Sequence, residues 1–287
     1  MKILLIGHSI IDHIDNTIKP GGIFYSFTGM NAVKDTADVI YLVTGINDRN
    51  KELFFNYYEA NLDFAFNLDD MPEVFLRNFD DREREEVYKN ISVELSMDKI
   101  NDWHFFDGIL INMITGFDIS IDNIEKIRNA YKGLIYFDVH TLARGVDENM
   151  KRNFRPILQI EKWLVNIDIL QCNESELTTI VDYKIEPAVE YILNTGVKIL
   201  IVTKGENGVA AFYKGGNIVK QILLEAEKVI VKNKIGCGDI FGAVFFYSYL
   251  RGGNLEESLK KANKAAAITV ANSAEKISFS IKNGLIK

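Results

Sequence analysis

The chain has 287 residues, of which 47% are hydrophobic and 25% are charged, and this composition can build one large buried core. The formal net charge of −7 argues against a nucleic-acid partner, which would need a basic surface. Two cysteines are too few for a disulfide scaffold and favour a reducing, cytoplasmic location.

The front of the chain predicts a buried strand followed by an irregular insertion. The opening run "KILLIG" is too short to span a membrane, and no signal-peptide cleavage pattern follows it. Further along, "MPEVFLRNFDDREREEVYKN" predicts two strands around a polar turn, with Val74 and Leu76 on one face and Phe75 and Phe79 on the other. We expect segments 12–26 and 71–92 to form a small β lid over the main sheet. A surface hairpin at the edge of that sheet is the alternative.

Short apolar runs alternate with amphipathic helical stretches along most of the chain. Such continuous apolar strands, separated by helices, predict a largely parallel α/β sheet with helices on both faces. Ligands then bind at the carboxyl ends of the strands. No internal repeat or flexible linker divides residues 1–287, so we expect a single domain. The strand candidates are "KILLIG", "DVIYLVTG", "DGILINM", "GLIYFDV", "IDILQCN" and "KILIVTKG".

The segment "KIGCGDIF" brings two glycines and a carboxylate to the start of an apolar helix. Phe241, Val244, Phe245 and Tyr249 suit one broad helical face. Backbone N–H groups of a glycine turn and the positive end of a helix dipole favour an anion such as a phosphoryl group. An aspartate there, Asp239, could accept a proton from an attacking hydroxyl. A simple capping aspartate is the alternative, and a nucleophilic cysteine at this turn is a further one.

At this point the sequence resembles the ribokinase family of carbohydrate kinases, also called PfkB-type. The segment from Asn233 to Asp239 is similar to the family's D-T-x-G-A-G-D signature. The resemblance implies a ribokinase-like fold, with Asp239 as catalytic base. It also implies that the amides of Gly236, Cys237 and Gly238 form an anion hole.

Three further segments extend the resemblance to a site for ATP and Mg²⁺. "QCNESEL" resembles the family's N-x-x-E, which implies that Asn173 lies near the nucleotide and that Glu176 contributes to a magnesium-water shell. A helix cap made by the same two residues is the alternative. "VTKGENG" resembles a nucleotide loop and implies roles for Thr203, Gly205 and Gly208. The last long helix also resembles that of the family, which implies that Asn263 lies near the adenine.

At the front, "GHSIID" and "PGGIFYS" resemble the family's substrate-binding segments. The resemblance implies that Asp12, Gly21 and Gly22 hold the acceptor. A solvated carboxylate and a plain turn are the alternatives. The family's usual asparagine is missing after this glycine pair, and Ser26 is the nearby polar replacement.

Two departures concern the signature and the strand end "YFDVHTLARG". Asn233 and Lys234 replace the usual Asp-Thr, which leaves activation by a monovalent cation in doubt. Lys234 could reach a nucleotide phosphate, or it could be a solvated lysine. Asp138 and His140 stand where the family has a different pattern, and their roles stay open.

The sequence therefore predicts an ATP-dependent kinase that acts on a hydroxyl of a sugar or sugar-like alcohol. A nucleoside kinase of the same fold is one alternative, since Phe24, Tyr25 and Phe27 could stack on a base. A non-catalytic sugar- or nucleotide-binding regulator is the other. The expected partners are small molecules, with neither nucleic acid nor membrane, and a homodimer could form through the lid.

Overall fold

A computed structural model describes residues 1–14, 17–77, 85–91, 94–181, 185–272 and 276–285. Phe79, predicted to share a face of the lid with Phe75, lies outside these residues. The strands are β1 (Lys2–Ile6), β2 (Ser9–Ile14), β3 (Thr17–Gly22), β4 (Val39–Val43), β5 (Gly45–Ile46), β6 (Phe66–Asn67), β7 (Glu73–Arg77), β8 (Glu85–Lys89), β9 (Gly108–Asn112), β10 (Leu134–Asp138), β11 (Arg144–Val146), β12 (Arg152–Phe154), β13 (Ile169–Asn173), β14 (Ile199–Thr203), β15 (Val209–Gly215) and β16 (Ile218–Leu224).

The described helices range in length from about one and a half turns to nearly five turns. They are α1 (Ile23–Val33), α2 (Ile121–Ala130), α3 (Ile160–Leu164), α4 (Glu174–Ile180), α5 (Ile185–Asn194), α6 (Cys237–Leu250), α7 (Leu255–Ala271) and α8 (Ile277–Leu285). Short 3-10 helices lie at Phe55–Glu59, Trp103–Phe105, His140–Ala143 and Gly205–Asn207. Among the described residues, no helix is both long enough and apolar enough to cross a membrane.

The central sheet has eight strands in the order β16-β15-β14-β13-β10-β9-β1-β4. All six predicted strands lie in it and pair in parallel, which confirms the predicted α/β fold class. The sheet also continues into the antiparallel hairpin β15–β16, which the sequence pattern did not predict.

Helices cover both faces of this sheet. Residues of β1 alternate between the two cores, because successive side chains of a strand point to opposite faces. Ile3 and Leu5 join the core with α1, α6, α7 and α8, whereas Leu4 and Ile6 join the core with α2 to α5. Polar caps begin several of these helices, with Ser120, Asn173 and Asn254 accepting backbone N–H bonds.

Helix α6 is the apolar helix that the sequence predicted, but it is buried on every side and not only on one broad face. All residues from Ile240 to Ser248 are buried, because α6 packs against the sheet, α1 and α7 at the same time. A helix that is apolar all round is typical of such a central position. The glycine turn at its start is therefore attached to one of the most deeply packed elements of the molecule.

A small second sheet, in the order β3-β2-β7-β8, stands over the carboxyl ends of β1 and β9. Val74 and Leu76 are buried beneath it and Phe75 is exposed, as the predicted alternation requires. The predicted lid segment 12–26 extends too far at its C-terminal end. Residues 23–26 belong to α1, because the buried apolar run that starts at Ile23 packs against α6.

Candidate active site

The turn before α6 lies between two pockets. Gly236 has φ 77°, and a Cβ there would come within 2.2 Å of the Tyr25 ring, so this turn requires glycine. Gly238, by contrast, has no atom within 4 Å of a Cβ position. The turn thus rests on an aromatic ring at Gly236 and faces open space at Gly238.

The first pocket lies between the small sheet and the turn. It contains about 380 Å³ of space, including its open mouth. Asp12 and Gly22 come from the small sheet, and Gly236 and Asp239 from the turn and α6. The wall is completed by Ile10, Tyr25, Val74, Leu76, Glu86, Ile114, His140, Arg152 and Ile235.

The second pocket lies on the other side of the turn and is larger, about 1470 Å³ with its open mouth. Five of the residues predicted to bind a nucleotide line it together, namely Thr203, Gly205, Gly208, Lys234 and Asn263. Cys237 and Gly238 line it from the turn, so the two pockets meet at residues 236–239.

Asp239 is held by an amide that the sequence analysis did not single out. Asn112, the last residue of β9, donates from Nδ2 to Asp239 Oδ1 over 2.6 Å. Another amide, Gln171 on β13, donates to the carbonyl of Gly238 at 3.2 Å and to Asp138 Oδ2 at 2.7 Å. Two strands of the central sheet therefore dock the start of α6. The available signal was a polar residue within or at the end of an apolar strand, Gln171 in the middle of β13 and Asn112 at the end of β9.

Asp138, Glu176 and Asp239 form a carboxylate cluster beneath the turn. Burial raises the pKa of Asp138 well above its usual value, and the charges of Glu176 and Asp239 raise it further. Burial also raises the pKa of Glu176, although His140 and the Asn173 amide oppose that shift. Two buried carboxyls with raised pKa values are typical of a functional site.

Asn173 and Glu176 make the reciprocal helix cap that was the alternative to a metal site. Asn173 Oδ1 accepts from the Glu176 amide at 2.8 Å, and Glu176 Oε2 accepts from the Asn173 amide at 2.9 Å. Across the described ranges, no group of three histidine, cysteine, aspartate or glutamate side chains could enclose a metal ion. A magnesium ion held largely by phosphate and water needs only one or two carboxylates, so the predicted role of Glu176 stays a prediction.

The predicted acceptor residues do not all reach the first pocket. Asp12 and Gly22 line it. Gly21 instead lies beside the Asp12 carboxylate, and a Cβ added at Gly21 would lie 2.3 Å from Asp12 Oδ1. Ser26 requires a correction, because it is 1% exposed and its hydroxyl accepts from Asn112 Nδ2 at 3.2 Å rather than lining the pocket. The pocket instead takes its polar wall from Glu86, His140 and Arg152.

Comparison with known proteins relates the second half of the chain to a family of kinases. The model of the pfkB family carbohydrate kinases matches residues 140–281. A ribokinase of Arabidopsis thaliana is 34% identical over 168 residues, which is 53% of this chain but 44% of the relative. The match thus spans less than half of that relative's length.

Solved structures extend the likeness to the whole fold. A ribokinase of Arabidopsis thaliana with ribose and ATP has a TM-score of 0.71 at 20% identity, covering 99% of this chain and 98% of that one. A pyrophosphate-dependent kinase with a pyrophosphate analog and myo-inositol has a TM-score of 0.74 at 14% identity, covering 94% and 95%. The molecule is thus an α/β protein of the ribokinase fold. Residues 140–281 match the pfkB (ribokinase) family of carbohydrate kinases, and the whole chain has the fold of solved ribokinases.

Proposed function

We propose that this protein transfers the γ-phosphoryl group of ATP to a hydroxyl of a sugar or a related polyol. One observation carries the proposal: the glycine turn and Asp239 form the boundary between an acceptor-sized pocket and a larger donor pocket. A group that passes from one pocket to the other must cross the N–H groups at the start of α6. That geometry suits phosphoryl transfer, in which positioning and charge stabilisation supply most of the catalysis.

In the proposed reaction, Asp239 takes the proton of the acceptor hydroxyl as its oxygen bonds to the γ-phosphorus. The bond from the γ-phosphorus to the bridging oxygen breaks, and ADP leaves with that electron pair. The amides of residues 236–238 stabilise the charge on the transferring group, and the helix dipole of α6 acts in the same direction. We also propose that the small sheet acts as a lid, which would exclude competing water.

The donor pocket fits a nucleotide. Gly205 and Gly238 leave open space where a Cβ would stand, so phosphates can approach the backbone closely. Lys228 and Lys234 add positive charge, and Val229, Phe241 and Ala266 add apolar wall for a base. That wall favours ATP over pyrophosphate, the donor named for one of the structural relatives. Magnesium, when bound, would neutralise phosphate charge, with Glu176 as the nearby carboxylate.

The acceptor pocket fits a compact polyol. Asp12, Glu86 and Asp239 outnumber Arg152 among its charged residues, so an anionic acceptor would meet net negative charge. Carboxylates can accept hydrogen bonds from hydroxyl groups. Of the aromatic residues considered for stacking on a nucleoside base, Phe24 and Phe27 are buried in the core, and Tyr25, although part of the pocket wall, is only 2% exposed beneath the glycine turn. This arrangement favours the sugar over the nucleoside.

The test is an ATP-consumption assay with magnesium across neutral sugars, polyols and nucleosides. We expect turnover with at least one neutral polyol. Asp239→Asn should then lose at least about a hundredfold in kcat, as expected for a missing general base, with nucleotide affinity little changed. Ligand-induced melting shifts without turnover by the unaltered protein would support the regulator instead. An undiminished rate in D239N would remove Asp239 from the mechanism.

A further inference from the structure

We infer that Asn112 is a positioning residue that fixes the orientation of the Asp239 carboxylate, with Ser26 as the second contact of the same amide. This inference rests on the proposed function, because it assigns Asp239 the role of base. Asn112 ends β9, Ser26 lies in the first turns of α1, and Asp239 lies in the first turn of α6. Three separate elements therefore meet at one amide group.

The contacts of this amide are one-sided. Nδ2 donates to Asp239 Oδ1 at 2.6 Å and to Ser26 Oγ at 3.2 Å. The other end of the amide, Asn112 Oδ1, is buried and has no hydrogen-bond partner within the described part of the chain. A buried acceptor without a partner costs free energy, so it calls for an explanation other than stability. Donation to Asp239 supplies that explanation.

The donation has a chemical consequence for the base. An N–H bond to Oδ1 stabilises charge on that oxygen, which leaves Oδ2 as the oxygen available to take a proton. It also prevents rotation of the carboxylate on the first turn of α6, where Asp239 is only half-buried. A base must be held within hydrogen-bond reach of the proton that it abstracts.

Gln171 makes a useful contrast. Its amide docks the same turn but binds the Gly238 carbonyl and Asp138, not Asp239. Its carbonyl oxygen accepts from the Tyr136 hydroxyl, so both ends of that amide have partners. Gln171 therefore has the contacts of a structural amide, and Asn112 does not.

The experiment compares Asn112→Leu, Ser26→Ala and their double variant with the unaltered protein. Leu keeps the size of the side chain but cannot donate. We expect N112L to lower kcat about 10- to 100-fold, because small misplacements of reacting groups have effects of that size, while KM for ATP changes less than about twofold. The double variant should be no slower than N112L alone, because both changes act through one amide.

Asn166→Leu is the matched control. Asn166 is also buried, and its Nδ2 donates to the Lys162 carbonyl at 2.7 Å, away from both pockets. N166L should leave kcat unchanged. If N112L does not fold, S26A carries the test with an expected loss of about threefold in kcat at unchanged KM.

Three outcomes would overturn the inference, and each has a different meaning. If the unaltered protein turns over an acceptor and N112L does so at the same rate, Asn112 has no positioning role and the proposed function stands. If the unaltered protein phosphorylates no acceptor in the panel, the proposed function fails and takes this inference with it. A loss in N112L that appears in KM alone would also overturn it.

Discussion

Gly236 and Gly238 enclose a single residue of the turn before α6, yet their surroundings are opposite. At Gly236 an added Cβ would meet the Tyr25 ring at 2.2 Å, and φ is 77°. At Gly238 the same atom would meet nothing within 4 Å. One glycine is thus required by the fold, and the other leaves space in the donor pocket.

This difference predicts opposite effects for the two alanine substitutions. Gly236→Ala should destabilise the protein by roughly 1–3 kcal/mol, the cost of a left-handed conformation in a residue with a side chain. Gly238→Ala should keep or slightly raise the melting temperature, since alanine favours a helix, but it should raise KM for ATP. Thermal melting and steady-state kinetics measure both. A normal KM in G238A would place the donor elsewhere.

At this scale, the sequence singled out residues that belong to a motif and did not single out those that do not. Asp239 and the residues of the donor pocket stand in recognisable order around glycines. Asn112 and Gln171 lie within ordinary apolar strands, and their partners are distant in the chain. Ser26 was interpreted by its proximity to a glycine pair, and the helical turn rotates it into the interior instead.

Among the elements, the contact of β8 with β12 joins the small sheet to the rest of the molecule. Glu86 on β8 accepts from Arg152 on β12 and lies 3.6 Å from Arg144. Arg152 also donates to the Ile114 carbonyl at 2.6 Å and lies over the Tyr88 ring. Both Glu86 and Arg152 line the acceptor pocket. The same buried ion pair therefore forms part of the pocket wall and attaches the small sheet to β12.

Glu86→Gln should therefore lower the melting temperature and raise KM for the acceptor, with KM for ATP little changed. Removing one member of a buried ion pair costs roughly 3–5 kcal/mol, because the other charge stays buried. Glu85→Gln is the control one residue away: Glu85 pairs with Lys151 at 3.1 Å near the surface, where such pairs contribute about 0–1 kcal/mol. Equal destabilisation by E85Q and E86Q would contradict this account.

The elements also show where periodicity succeeds and fails. All six strands of the parallel set were predicted, because buried parallel strands are continuous apolar runs. The hairpin β15–β16 was missed, since β16 has exposed residues through most of its length at the edge of the sheet. Pairing with β15 sets the length of β16, and no local sequence pattern reveals that pairing.

For the whole molecule, the carboxylate cluster predicts an unusual pH dependence of stability. The pKa of Asp138 is raised in the folded protein by burial and by the charges of Glu176 and Asp239. Between its usual value of 3.8 and the raised value, the folded state holds a proton that the unfolded state has lost. Its contribution to stability is therefore complete below the usual value and is lost as pH rises through the raised one.

We expect the melting temperature, measured with EDTA, to rise as the pH is lowered from neutral toward mildly acidic values. Asp138→Asn should flatten that rise, because its amide carries no charge at any pH. Asp118 acts oppositely: burial disfavours its charge, but hydrogen bonds from His8 and Thr115 hold its pKa below 3.8. Its contribution is lost as pH falls through that lowered value. An unchanged slope in D138N would contradict the assignment.

Gly22 has one more consequence for the molecule. It ends β3 and directly precedes α1, while Gly7 and His8 alone join β1 to β2. The Ile23 amide donates to the His8 carbonyl at 3.1 Å, and a Cβ on Gly22 would lie 2.1 Å from that oxygen. The two connections of the β2–β3 hairpin, to β1 and to α1, are thus short, and a hydrogen bond joins them. We therefore expect this end of the hairpin to stay fixed relative to β1 and α1, because both connections are short and hydrogen-bonded to each other.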